Sequence, residues 1–362
     1  MAAQPTPNPG IMEIALYQGG KSAIAGRTDV LKLSSNENPL GPPPSAQEAI
    51  MAAASGTHLY PSTDHAGLRA AIGEVHGLDP DRIICGVGSD EVLQFVTQAF
   101  AGPGDEIIHT EHGFSLYPVL IHAAGATPVC VPETDRQVNV DHILAAVTDR
   151  TRIILVTNPG NPTGTMIPLA EVERLIDAVA EDIVVVLDGA YTEYVDGFDG
   201  GAVLAGSRPN VLMTRTFSKI YGLGGLRIGW GYGDRFLIDV MTRLRQPFNL
   251  SVVQLAAAEA AVRDRAWVDA CAALNAAQRA RLKGALGQLG LAVDDSHTNF
   301  LLARFADAAE ADAANAALLV DGIIVRQVGG YGFAEGLRIT VGDADQTGRV
   351  IDALTRWREG AP

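Results

Sequence analysis

The sequence predicts an α/β protein: a large, mostly parallel, doubly wound sheet followed by a smaller α+β domain. Three observations carry this. Short apolar runs bounded by glycine or polar residues recur between residues 83 and 230, with helical stretches between most of them. The alternation breaks at Gln246-Pro247-Phe248-Asn249, and a long alanine-rich helical region follows to about residue 289. The remainder reads as strand, helix, strand, strand, helix, a separate small unit.

Taken in order, residues 1–10 are proline-rich and expected to be extended or disordered. Residues 11–17 form a short apolar segment ended by Gly19-Gly20, and the alternating run around Lys32 leads into 34–44, where prolines exclude regular helix. Residues 47–54 look helical and 58–61 read as an exposed turn. Strands are expected at 83–86, 106–109, 127–131, 152–157, 183–187, 210–214 and 226–230, with helices at 91–101, 169–180 and 236–244. The final unit places strands at 299–305, 323–328 and 337–341 and helices at 307–319 and 347–358. No internal repeat is present.

The 362-residue chain is long enough for one large core and a smaller one. Hydrophobic residues at 47% against 19% charged argue for a folded protein and against disorder. A net charge of −15 disfavours binding to nucleic acid or anionic membranes, so any anionic ligand must be held by local arginines and helix N-termini. Cys85, Cys130 and Cys271 are widely spaced in apolar runs and read as buried thiols of a reducing compartment, with no metal-ligand spacing. The N-terminus lacks the pattern of a secretory signal, and no apolar run reaches about 18 residues, so a cytoplasmic protein without a membrane span is expected.

The chemistry-bearing residues follow strand runs, where ligands of doubly wound sheets sit. Lysine is scarce, and only Lys219 stands at a strand end among hydroxyls and glycines, with Arg227 just beyond. Those surroundings suit a Schiff-base lysine, although a surface lysine beside a flexible loop has the same local sequence. Asp188, after an apolar strand, needs a cation if buried; a protonated pyridine nitrogen would serve, and a helix cap is the plainer alternative. The loop Thr157-Asn158-Pro159-Gly160-Asn161-Pro162-Thr163-Gly164 is rigid and can aim the Asn161 amide at a ring oxygen. The turn Gly86-Val87-Gly88-Ser89-Asp90-Glu91 opens a helix and suits phosphate, or is an ordinary N-cap. Phe114 and Tyr117 could lay an aromatic face on a flat ring or simply pack in the core.

Together, the order of phosphate turn, aromatic residue, NPGNPTG, DGAY, Ser218-Lys219 and GLGGLRIG closely resembles the fold-type I pyridoxal-phosphate enzymes of the aspartate aminotransferase superfamily, over nearly the whole chain. The resemblance implies pyridoxal 5'-phosphate as cofactor and a homodimer with shared active sites. It implies that Lys219 holds the cofactor and shuttles a proton, that Asp188 keeps the ring nitrogen protonated, and that Asn161 and Tyr191 reach the ring oxygen. Phe114 would stack on the ring in place of the more usual tyrosine. Gly88, Ser89, Asp90, Thr216, Ser218 and Arg227 would hold the phosphate, with Tyr60 reaching it from the other subunit. The implied division is an N-terminal arm at 1–37, packing on the small domain or the partner, a cofactor domain at 38–245 and a small domain at 246–362.

Finer features resemble the histidinol-phosphate aminotransferase family. They are Tyr17-Gln18-Gly19-Gly20-Lys21, with Gly19 where proline is usual; the Asn36-Glu37-Asn38-Pro39 segment; and two arginine-bearing strands around Arg326 and Arg338. Two convergent arginines suit a doubly charged or alternating anionic substrate, since a guanidinium binds phosphate and carboxylate alike; a surface ion pair is the alternative for Arg326. The resemblance implies that Tyr17, Asn36, Arg326 and Arg338 bind histidinol phosphate, with 2-oxoglutarate as acceptor. An aromatic or dual-specificity aminotransferase would need only Arg338, and a decarboxylase such as threonine-phosphate decarboxylase shares the motifs. A transcription regulator would need an added DNA-binding module, and the chain begins almost directly with the aminotransferase-like element.

Overall fold

The computed structural model describes residues 5–16 and 19–360. A short strand β1 (Leu31–Lys32) precedes the strands of the large sheet: β2 (Ile83–Gly86), β3 (Glu106–Thr110), β4 (Thr127–Val131), β5 (Thr151–Thr157), β6 (Val184–Asp188), β7 (Val211–Thr216) and β8 (Gly229–Gly233). Their spatial order is β2-β8-β7-β6-β5-β3-β4. β4, β3, β5, β6 and β7 are mutually parallel, whereas β8 runs antiparallel between β7 and β2.

Side-chain alternation explains why these strands read as continuous apolar runs. Ile154 and Val156 of β5, Val185 and Leu187 of β6, and Val211 and Met213 of β7 enter one buried cluster. Their alternates Ile153, Leu155, Val184, Val186 and Leu212 enter another, on the opposite face. Both faces of the sheet are therefore dry, as a parallel sheet requires.

The smaller unit contains β9 (Ala292–Val293), β10 (Phe300–Arg304), β11 (Ile323–Ile324), β12 (Arg326–Val328) and β13 (Phe333–Thr340). Strands β12-β13-β10-β9 form an antiparallel sheet, and β11 pairs in parallel with β1. That pairing draws Leu31 and Leu33 into the small unit's buried cluster and delivers the residues after them to the groove between the sheets.

Several expectations need correction. The strand expected at 226–230 starts at Gly229, because Gly224–Leu226 winds into a 3-10 turn and Arg227 takes a left-handed φ of 55°. The run 323–328 divides into β11 and β12, which belong to different sheets. The alanine-rich region is two helices, Val252–Arg263 and Arg265–Gln288; Asp264 ends the first and caps the second by accepting from the Trp267 N–H. Helices Tyr117–Ala123, Val140–Ala145 and Ala202–Ser207 fill further intervals between strands, as the alternation implied, whereas helix Ala66–His76, ahead of β2, was not expected. Cys85 and Cys271 are buried, but Cys130 is exposed, because β4 is the edge of its sheet. Ala257, Ala261, Val268 and Cys271 pack in the large core and Leu282 and Leu286 in the small one. Helix Arg265–Gln288 thus contributes side chains to both buried clusters. Among the described residues no helix is long and apolar enough to cross a membrane, and no His, Cys, Asp or Glu cluster is arranged to hold a metal.

Candidate active site

A cavity of about 220 Å³ opens where the carboxyl ends of β5, β6 and β7 meet β12, β13 and the residues after β1. One end is a cradle for an anion. Gly88, at φ 79°, precedes helix Ser89–Phe100, so the first N–H groups of that helix face the cavity end with the positive pole of its dipole. A side chain on Gly229 of β8 would run into the Ser89 backbone nitrogen, so this close approach demands glycine. Opposite stand the hydroxyls of Thr216 and Ser218; the Ser218 N–H donates to Thr216 Oγ1 at 3.1 Å. Arg227 completes the cradle, with Nη1 donating to Ser218 Oγ at 3.0 Å and Nη2 to Asp90 Oδ2 at 2.8 Å. The Asp90 carboxylate thus serves Arg227, and what Asp90 offers an anion is its backbone amide.

The same cavity is lined by Asp188, the buried last residue of β6 and no helix cap. It accepts from Tyr117 Oη at 2.9 Å and from Thr214 Oγ1 at 3.3 Å. Burial still pushes its carboxyl up to about 6, with the Asp90 charge adding to the rise and the two hydroxyls opposing it. Lys219 lines the same cavity, its Nζ 5.8 Å from the centre of the Tyr191 ring. Burial and the nearby Arg338 and Arg227 guanidiniums bring its amine down to about 8, against the Asp90 and Glu37 charges. Tyr191 Oη accepts from Asn36 Nδ2 at 2.8 Å, which leaves its own proton to donate into the cavity. Phe114 lines the cavity and meets the Tyr117 ring edge-on at 5.9 Å.

The third wall comes from the small unit. Arg326 and Arg338 lie directly opposite in the β12–β13 register, and both line the cavity. Arg338 is buried; it donates to Asn161 Oδ1 at 2.5 Å and to the Ser34 carbonyl at 2.9 Å, over the Phe300 ring. With Oδ1 committed to Arg338, Asn161 keeps its NH₂ as the donor for a ring oxygen. Asn36, at φ 58°, is fixed by Thr340 and by Asn299, which donates to its carbonyl at 2.9 Å.

Of the expected site residues, Tyr17 lies outside the described residues, and Tyr60 lines no part of this chain's cavity. Tyr60 is 82% exposed and stacks on Phe248 at 4.5 Å. Lys219, Asp188, Tyr191, Asn161, Phe114, Ser89, Asp90, Thr216, Ser218, Arg227, Asn36, Arg326 and Arg338 all come together at one cavity. Sequence reasoning missed Thr157, Thr214 and Tyr331, and it read Tyr117 as a ring face or core residue rather than as the partner of Asp188. The two threonines follow apolar strand runs, as Asp188 does, so the same signal could have found them.

The donor set fits pyridoxal 5'-phosphate. A buried carboxyl that burial drives toward the neutral form calls for a cation at ring depth, and an amine near 8 is available to a carbonyl. The helix N-terminus with its hydroxyls and Arg227 lines the same cavity, where the phosphate would sit.

The family model for class I and II aminotransferases matches residues 28–354. A histidinol-phosphate aminotransferase of Ruegeria pomeroyi is 64% identical over 354 residues, covering 98% of each chain. One of Jannaschia sp. is 59% identical over 355 residues, covering 98% of this chain and 99% of its own. Among solved structures, the histidinol-phosphate aminotransferase of Sinorhizobium meliloti in complex with pyridoxal-5'-phosphate superposes with a TM-score of 0.90 at 28% identity, covering 99% of both chains.

Proposed function

This chain belongs to the class I and II aminotransferase family, and we propose that it moves an amino group between L-histidinol phosphate and 2-oxoglutarate in histidine biosynthesis. It is a pyridoxal 5'-phosphate enzyme acting on a small-molecule amino donor and a 2-oxo acid acceptor. When bound, the cofactor supplies an electron sink for the charge left at the substrate's α-carbon. Asp188 holds the ring nitrogen protonated, supported by Tyr117 and Thr214. Asn161 Nδ2 and the Tyr191 hydroxyl donate to the ring oxygen, and Phe114 covers a ring face. The amides of Ser89 and Asp90 beyond the Gly88 turn, the hydroxyls of Thr216 and Ser218, and Arg227 hold the phosphate. Lys219 Nζ secures the cofactor and is the base that takes the α-proton.

The observation that carries the substrate is the cross-strand pairing of Arg326 with Arg338 at the cavity of Lys219. Two guanidiniums on one wall of an acidic protein suit a substrate phosphate, with Arg338 taking a carboxylate of the acceptor in the second half-reaction. Asn36 braces this wall against Tyr191, and Tyr17 belongs to the same proposed set.

A cytoplasmic homodimer belongs to the same proposal. Exposed apolar side chains at Met51, Leu59, Tyr60 and Phe248 support a subunit interface, at which Tyr60 would reach the partner's phosphate cradle. The test of the function is a single half-reaction: holoenzyme mixed separately with L-histidinol phosphate and with L-phenylalanine, following the cofactor's absorbance. Fast conversion with histidinol phosphate and slow conversion with phenylalanine is expected. Equal or faster conversion of phenylalanine would overturn the substrate assignment.

A further inference from the structure

A second cavity, of about 350 Å³, adjoins the active one, and its lining includes residues 13–16 and Ser115. Among the described residues, only Arg326 and Tyr331 line both cavities. Phe114 faces the active cavity, whereas its neighbour Ser115 faces the second one. Tyr331 sits at this partition and is held at both ends. Its hydroxyl lies 3.0 Å from Ser115 Oγ, and its carbonyl accepts from His112 Nδ1 at 2.8 Å. Its ring is buried with Leu302, Val328 and Phe333. The turn that carries it, Gly329–Tyr331, closes at Gly332 with φ 88° and docks against His112, whose ring packs on Phe333 at 4.2 Å.

We propose that Tyr331 is a specificity-determining residue: its ring is the wall that limits the size of the amino donor's side chain and keeps the second cavity out of the substrate's reach. The inference rests on the aminotransferase reading of the site. The substrate's side chain extends from the α-carbon toward Arg326 and Arg338, and the ring of Tyr331 borders that same space. A donor with a large flat side chain meets the ring, while the room behind it stays inaccessible. Shortening the side chain joins the two spaces beside Arg326, without touching Lys219, Asp188 or the phosphate cradle.

The test compares kcat/KM for L-tryptophan and L-phenylalanine in single-turnover half-reactions of wild-type, Tyr331→Ala, Tyr331→Leu and Tyr331→Phe holoenzymes. Tyr331→Leu keeps apolar contact with Leu302, Val328 and Phe333, so it stands in where the alanine variant fails to fold. The tryptophan-to-phenylalanine ratio should rise by about tenfold or more in the alanine and leucine variants, the scale on which a pocket discriminates by size. Tyr331→Phe, which keeps the wall and loses only the Ser115 contact, should hold the wild-type ratio. An unchanged ratio in the alanine and leucine variants, or an equal rise in the phenylalanine variant, would overturn the proposal. Because the ratio uses two aromatic donors, a wild-type enzyme inert toward histidinol phosphate would sink the substrate assignment and leave this test intact.

Discussion

Tyr117 donates its hydroxyl to Asp188 at 2.9 Å, and the same oxygen lies 2.5 Å from Thr157 Oγ1. One buried phenol thus ties the ends of β5 and β6 together beneath the cavity. Its bond favours the ionised form of Asp188 against the burial that opposes it. Tyr117→Phe should leave the packing in place and make the carboxylate harder to ionise. A hydrogen bond to a charged group is worth about 1.5–3 kcal/mol, so kcat should fall by about ten- to a hundredfold. The half-reaction rate measures this; a variant as fast as wild-type would show that Asp188 does not depend on the phenol.

Asp188 also predicts how the apoenzyme responds to pH. Its folded-state value, about 6, lies above the ordinary carboxyl value of 3.8. The stability this group contributes is therefore fully present below 3.8 and is lost as pH rises through about 6, at most about 3 kcal/mol in all. Asp188→Asn removes that dependence. The melting temperature of the apo variant, minus that of apo wild-type, should become more positive from about pH 4 to about pH 7. Transamination should meanwhile fall by more than about a hundredfold, as when a preorganised electrostatic partner is lost. A temperature difference that stays flat across this range would mean that Asp188 is not strained by burial.

Lys219 gives a kinetic prediction of opposite sign. Burial and two guanidiniums hold its amine near 8, and only the neutral amine attacks a carbonyl. Covalent capture of pyridoxal 5'-phosphate by the apoenzyme, read by absorbance, should speed up as pH rises toward about 8 and level off above it. Arg338→Leu removes the second-largest cause of the lowered value and should move the plateau to higher pH. Lys219→Ala should show no covalent capture at any pH; a variant that retained it would refute the assignment of the lysine.

Much of this site was legible in the sequence, because doubly wound sheets place ligands at strand ends and polar residues there stand out against apolar runs. Asp188, Asn161 and Lys219 are such residues, and strands 83–86 and 127–131 have the limits that turn residues predicted. Other features depend on contacts that no local pattern carries. Tyr117 meets Asp188 across 71 positions, and Tyr331 meets Ser115 across 216. The late start of β8 had a different cause. Leu226-Arg227-Ile228 alternates like a strand, but Arg227 turns its guanidinium into the phosphate cradle by taking a left-handed backbone. The alanine-rich region read as helical without an internal boundary because alanine favours helix throughout, and the capping geometry of Asp264 reveals the break.

The facing arginines give the sharpest separation of roles. Arg338 is buried and braced by Asn161 and the Ser34 carbonyl, whereas Arg326 lies on the partly exposed strand β12. A carboxylate or phosphate bound near Arg338 is held whichever donor is present, but a second anion at the substrate's far end needs Arg326. Arg326→Ala should therefore cut kcat/KM for histidinol phosphate by about ten- to a hundredfold, the value of a charge-assisted bond, and change phenylalanine by less than about threefold. Arg338→Ala should cut both, since it also releases Asn161, the proposed donor to the cofactor's ring oxygen. Lysine at position 338 should rescue little, because a point charge cannot span Asn161, the Ser34 carbonyl and a substrate anion at once. Equal losses on both donors in the Arg326 variant would show that this residue braces the wall rather than reading phosphate.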